Sequence, residues 1–283
     1  MAKSSKSGKS SRSANVVAQA RGSRGKRKGG GNWLWENVKS LSGAVLIFLV
    51  IRTFLVEAFR IPSGSMIPTL LVGDWLFVNK AVYGPTVPFT HVRLPGYADP
   101  KHGDVVVFTS PYQADEAANG SDPTPTLVKR LIGMPGDTVY MRKGVVYVNG
   151  IAQRQGFGVG GYTADPAQSR PDDTSPLFDW QKRIALANTR FGSAPATPTH
   201  DDWGPLRIPA GDYFMMGDNR YCSKDSRYWG VVPRANIRGR PLFVYYSYRP
   251  SPGGLNDCDG QTSDRPLSFL TDIRWGRLGH VIR

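Results

Sequence analysis

Between Leu41 and Phe59 the chain reads LSGAVLIFLVIRTFLVEAF, its only strongly apolar run, and the rest of the fold has to start where that run ends. The uninterrupted part, Ala44–Ile51, is short, and Arg52 and Glu57 break the second half. Extended backward through NWLWENV (Asn32–Val38), the run predicts a helix from near Trp33 that crosses about 20 residues, the length a bilayer demands. Trp33 and Trp35 then lie at one interface, where amphipathic rings are favoured. Arg52 can carry its charge to the other along its apolar stem. Residues 1–31 are rich in Ser, Gly, Lys and Arg and predict a disordered tail. Residues 1–39 hold ten Lys/Arg against one acidic residue, Glu36, so nine of the fourteen net positive charges fall there. A basic flank stays on the cytoplasmic side. This favours a span over the competing reading, a buried or surface-lying amphipathic helix. No small-x-small site closes the run, so a single uncleaved anchor is expected rather than a removable leader. The expected organisation is a basic cytoplasmic tail (1–32), an anchor (33–59) and an extracytoplasmic domain (60–283).

After Trp75 the periodicity changes from helical to alternating. Strands are predicted at Trp75–Asn79, Asp104–Phe108, Thr126–Gly133, Asp137–Met141 and Val145–Gly150, and again within YFMMGDN and PLFVYYSY. Arg142–Gly144 reads as a hairpin turn, and Asn149-Gly150 is a tight-turn signal. Gly and Pro, 32 and 22 residues, together approach a fifth of the chain, which favours short strands and loops over helical bundles. Residues of about 153–206, rich in Pro, Asp, Thr and Gly, predict a loop-rich inserted subdomain. The expected fold class is mainly β.

Two cysteines, Cys222 and Cys258, are too few for a disulfide scaffold, and spacing leaves open whether they pair. The four histidines are scattered without metal-ligand spacing, so no metal site is expected; no cofactor is expected either.

The segment FRIPSGSMIPTLLVGDW (Phe59–Trp75) carries two serines with no histidine nearby. A serine hydroxyl is a weak nucleophile until a base takes its proton. Lysine can be that base if its amine is neutral, which burial in an apolar setting favours. Lys129 in TLVKRLIG lies inside a hydrophobic strand, with Leu127 and Leu131 on its face and Arg130 on the other. Lys80 and Lys143 lie in polar or turn contexts.

Four blocks occur in order: IPSGSMIPTLLVGD, HGDVVVF, LVKRLIGMPGDTV and GDNRYCSKDSRYWGVVP. Together with the preceding apolar run, the chain resembles type I signal peptidases of the bacterial kind, over most of residues 41–150 and 211–248. The resemblance implies a coiled antiparallel β-sheet catalytic domain and a membrane serine endopeptidase that releases exported preproteins from their leaders. It implies Ser65 as nucleophile, Lys129 as general base, and the Ser63 hydroxyl with the Ser65 N–H as oxyanion hole. Ser223 corresponds to a lysine-orienting hydroxyl, and Asp218, Asp225 and Arg227 to residues that support the site. Asp225 and Arg227 could equally form an exposed pair of little weight. Tyr221-Cys222 stand where polar and acidic residues are more usual. Phe59, Ile61, Pro62, Met66 and Val128 match pocket-lining positions for small side chains in an Ala-x-Ala pattern. Implied partners are preprotein signal peptides and membrane lipid, with the translocation machinery as a further one; nucleic acid is not among them. The implied location is the plasma membrane, with the catalytic domain outside. A dedicated Ser/Lys peptidase for one secreted or conjugative substrate is the alternative.

Overall fold

The computed structural model describes residues 31–90, 92–153, 176–250 and 267–283. The first 30 residues of the basic tail, residues 154–175 of the expected insertion, and Cys258 lie outside them. Among the described residues, those up to Leu46 belong to one compact unit and those from Ile47 onward to a second.

Helix α1 spans Gly31–Val50 and continues into a wider turn at Ile51–Leu55. Trp35–Leu55 is long and apolar enough to cross a membrane. The apolar run does not stay helical to Phe59. Val56–Arg60 is strand β1, paired antiparallel with β2 (Asp74–Asn79) from Val56↔Asn79 to Arg60↔Trp75. Apolarity alone could not reveal the change. Within VEAFR the backbone groups find partners on β2, and tertiary pairing overrides a helical pattern over so few residues.

The further strands and α-helices among the described residues are β3 (Val105–Thr109), α2 (Ala114–Ala118), β4 (Thr126–Gly133), β5 (Thr138–Arg142), β6 (Val145–Val148), β7 (Ile151–Ala152), β8 (Trp203–Arg207), β9 (Asp212–Met216), α3 (Ser226–Trp229), β10 (Val232–Pro233) and β11 (Ile237–Ser247), with a short helix near the C-terminus. They build a seven-stranded sheet in the order β1-β2-β11-β3-β4-β9-β10 and a four-stranded sheet in the order β7-β6-β5-β8. Among the described residues every pairing of these strands is antiparallel. The mainly β expectation holds, and β4 matches its sequence bounds residue for residue. β8 is strand within the stretch expected to be loop-rich; it pairs with β5 at Thr138↔Arg207.

β4 positions the site. Its first half, Thr126–Val128, is exposed or half-buried, whereas Lys129–Gly133 is buried throughout. The change follows the pairing. β3 flanks the strand from Val105↔Arg130 to Thr109↔Thr126, but β9 joins the other side only from Arg130↔Met216 onward. Lys129 is therefore the last residue before the strand becomes enclosed. Ile61, Met66, Leu70, Leu76, Val105 and Val244 belong to one apolar cluster beneath this region, with Phe59 and Val128 half-buried against it.

A buried carboxylate ties the start of β2 to the C-terminal residues. Asp74 is held by Arg277 at 2.6 Å, and accepts from the Ser247 hydroxyl at 2.6 Å. Such a charge is tolerated in a core only when its oxygens are matched.

Candidate active site

Ser65 sits in a 3-10 turn, Gly64–Met66, that follows extended Ser63. Two bonds from a distant loop fasten this turn. The Asn219 N–H donates to the Ser65 carbonyl at 3.1 Å, and its side-chain amide to the Gly64 carbonyl at 3.3 Å. Gly217 permits this approach: a Cβ there would lie 2.5 Å from the Ser65 carbonyl oxygen and 2.3 Å from Ser223 Oγ. It serves close packing of two backbones rather than a turn.

Lys129 Nζ lies 2.6 Å from Ser65 Oγ, and the two residues are 4% and 7% exposed. Burial drives the lysine pKa down to about 8. Asp225 and Asp218 act against that shift, and Arg227 reinforces it. A neutral amine at this distance presents a lone pair to the serine proton; an ammonium would donate to the oxygen instead. Ser63 Oγ is 3.5 Å from Ser65 Oγ.

Two buried ion pairs lie around Ser65 and Lys129. Arg227 and Asp225 are both fully buried, with Nε and Nη2 donating to the carboxylate at 2.8 and 2.9 Å. Asp225 also accepts the Gly217 N–H at 3.0 Å and caps α3. Burial alone would raise the Asp225 pKa, but the Arg227 charge and these hydrogen bonds hold it below the ordinary carboxylate range. The exposed-pair alternative is thereby overturned. The second pair joins Asp218 to Arg130, whose Nε and Nη2 donate at 2.7 and 2.6 Å. Thr69 adds a hydroxyl bond to the same carboxylate at 2.5 Å. Arg130 does point away from Lys129, but into a second interior and not into solvent. Sequence reading missed it because alternation identifies a face without saying what covers it.

Ser223 is buried beside Gly217, yet its hydroxyl makes no hydrogen bond, to Lys129 or to anything else described. Its neighbour Cys222 is in a disulfide. Among the expected pocket residues, Ile61 and Met66 are buried in the apolar cluster, which leaves Phe59, Val128 and exposed Pro62 to offer surface. Among the described residues no group of His, Cys, Asp and Glu is placed to hold a metal ion.

A family model described as signal peptidase, peptidase S26, matches residues 34–246. The signal peptidase I of Pseudomonas aeruginosa is 38% identical over 232 residues, 77% of this chain and 74% of that one. A probable signal peptidase I-2 of Synechocystis is 35% identical over 225 residues, covering 80% and 78%. The signal peptidase I of Aquifex aeolicus is 33% identical over 263 residues, covering 83% and 93%.

Proposed function

The chain belongs to the peptidase S26 family of signal peptidases, and on that premise we propose that it removes signal peptides from exported preproteins with a Ser65/Lys129 dyad. The observation that carries the reading is the 2.6 Å approach of Lys129 Nζ to Ser65 Oγ in a setting that lowers the lysine pKa. Ser65 Oγ attacks the scissile carbonyl carbon while its proton passes to Lys129. The oxyanion is stabilised by the Ser65 N–H and the Ser63 hydroxyl. The Lys129 ammonium then protonates the departing amine as the C–N bond breaks, leaving a serine ester. Water, deprotonated by Lys129, cleaves that ester, and Ser65 recovers a proton.

The substrate adds as a strand. The outer edge of β1 and the half of β4 before Arg130 carry backbone groups that an extended peptide can pair with. Phe59, Pro62 and Val128 line its path over the floor made by Ile61 and Met66, which admits small side chains in an Ala-x-Ala pattern. Ser223 orients Lys129 after a rotation of its hydroxyl, and Asp218, Asp225 and Arg227 keep the catalytic loop in place. The apolar helix anchors the chain with its amino terminus in the cytoplasm and the 60–283 domain outside. Membrane lipid and the translocation machinery are partners in that setting. The basic tail then meets anionic lipid.

The direct test is cleavage of a preprotein by the full chain in detergent. Replacing the alanine before the scissile bond by a bulky aromatic is expected to lower kcat/KM by about a hundredfold. Equal cleavage of both would contradict the small-side-chain assignment. For the oxyanion hole, Ser63→Ala is expected to cost about a hundredfold in kcat and Ser63→Thr only a few-fold. Equal rates for the two variants would remove the hydroxyl from that role.

A further inference from the structure

His200 is 1% exposed and lies just before β8, in the stretch that the four sequence blocks leave uncovered. Its Nδ1 is 2.5 Å from the Asp201 carboxylate, and its Nε2 is 2.6 Å from Arg227 Nη1 and 2.9 Å from the Arg220 carbonyl oxygen. The rings of Tyr221 and Tyr228 face the imidazole, with centroids 6.2 and 6.3 Å away.

These contacts select one tautomer. A guanidinium only donates, so the nitrogen 2.6 Å from Nη1 has to present a lone pair. The carboxylate only accepts, which places the imidazole proton on Nδ1. The Arg220 carbonyl does not need Nε2 as donor, because Arg227 Nη2 already donates to it at 2.7 Å. Arg227 is thus held on every edge. Nε and Nη2 grip Asp225, Nη2 also reaches the Ser223 carbonyl at 3.2 Å, and Nη1 is held by His200.

We propose that His200, with its tautomer fixed by Asp201, is a positioning residue for the peptidase reaction: it accepts Arg227 Nη1 and so fixes the guanidinium that holds Asp225 and the Ser223 backbone beside Lys129. The inference rests on the dyad reading above. Removing the acceptor leaves a buried N–H without a partner, so the guanidinium has to shift. An Asp225 carboxylate less closely neutralised by Arg227 then favours the charged form of Lys129.

The experiment measures kcat and KM across pH for the full chain and for His200→Leu, His200→Gln, Asp201→Ala and Lys129→Ala, with thermal melting of each. For His200→Leu, kcat is expected to fall about tenfold while KM stays within about twofold, a misplacement effect rather than a binding one. The rising limb of its pH profile is expected to move upward by about half a unit or more. His200→Gln, whose Oε1 can accept from Nη1, is expected to recover most of kcat and the original limb. Should His200→Leu fail to fold, Asp201→Ala decides, since the freed imidazole can adopt the other tautomer; lower kcat and a raised limb are expected. A folded His200→Leu or Asp201→Ala with wild-type kcat and an unmoved limb would overturn the inference, as would a Gln variant no better than Leu. Activity surviving in Lys129→Ala would instead overturn the dyad reading beneath it.

Discussion

Lys129→Met is expected to abolish cleavage and, at neutral pH, to make the protein more stable. Without its base, Ser65 keeps its proton, and losing one member of such a unit costs about 10⁴-fold or more in rate. The stability gain follows from the same burial that lowers the lysine pKa. The folded state lowers its pKa from 10.5 to about 8, so at pH 7 folding has to bury an ammonium that water would solvate. Linkage gives the sign: between about pH 8 and 10.5 the unfolded chain binds the extra proton, so stability rises with pH across that window. Below about pH 8 the full penalty applies, on the order of 3 kcal/mol at 1.36 kcal/mol per unit. Methionine keeps the apolar stem and drops the charge, and is expected to recover much of that penalty in urea unfolding at pH 7. At pH above 11 the two proteins should converge. A variant less stable than the parent at pH 7 would mean that the buried ammonium is well compensated, and that burial does not lower the Lys129 pKa.

The second large effect runs the other way. Arg227→Met leaves the Asp225 carboxylate fully buried without its cation, and breaking such a pair from one side typically costs about 3–5 kcal/mol. The parent's stability from this pair is present above the ordinary carboxylate range and is lost as acid protonates Asp225, whose pKa is depressed in the fold. The variant is expected to lose this acid-sensitive part and to show slow or undetectable cleavage. Replacing Asp225 as well, with Leu, removes the orphaned charge and is expected to return much of the stability without the activity. A single variant within about 1 kcal/mol of the parent would mean that water or movement satisfies Asp225, a weight typical of exposed pairs.

The pattern of residues revealed the strands and the lysine more readily than what surrounds them. β4 could be delimited because TLVKRLIG alternates β-formers between turn-forming neighbours, and a lysine inside such a run is conspicuous. The roles of Ser63 and Ser65 came from the resemblance, since two serines around a glycine fit any turn. β1 was concealed because VEAF continues an apolar run, and only its pairing with β2 makes it a strand. Arg130 and Asp218 lie 88 positions apart, and Arg277 reaches Asp74 across 203; such partners have no local signature. His200 carries none either: a lone histidine in a Pro- and Asp-rich stretch looks solvated until the chain delivers it to Arg227.

The claim that Lys129 acts as the neutral base of Ser65 is tested most directly by the pH dependence of kcat/KM on a small-x-small preprotein. Activity is expected to rise through a single group titrating near pH 8, as the buried ammonium of the free enzyme loses its proton. A limb near 10.5, the value of an ordinary lysine, or near 6.5, that of a histidine, would contradict it.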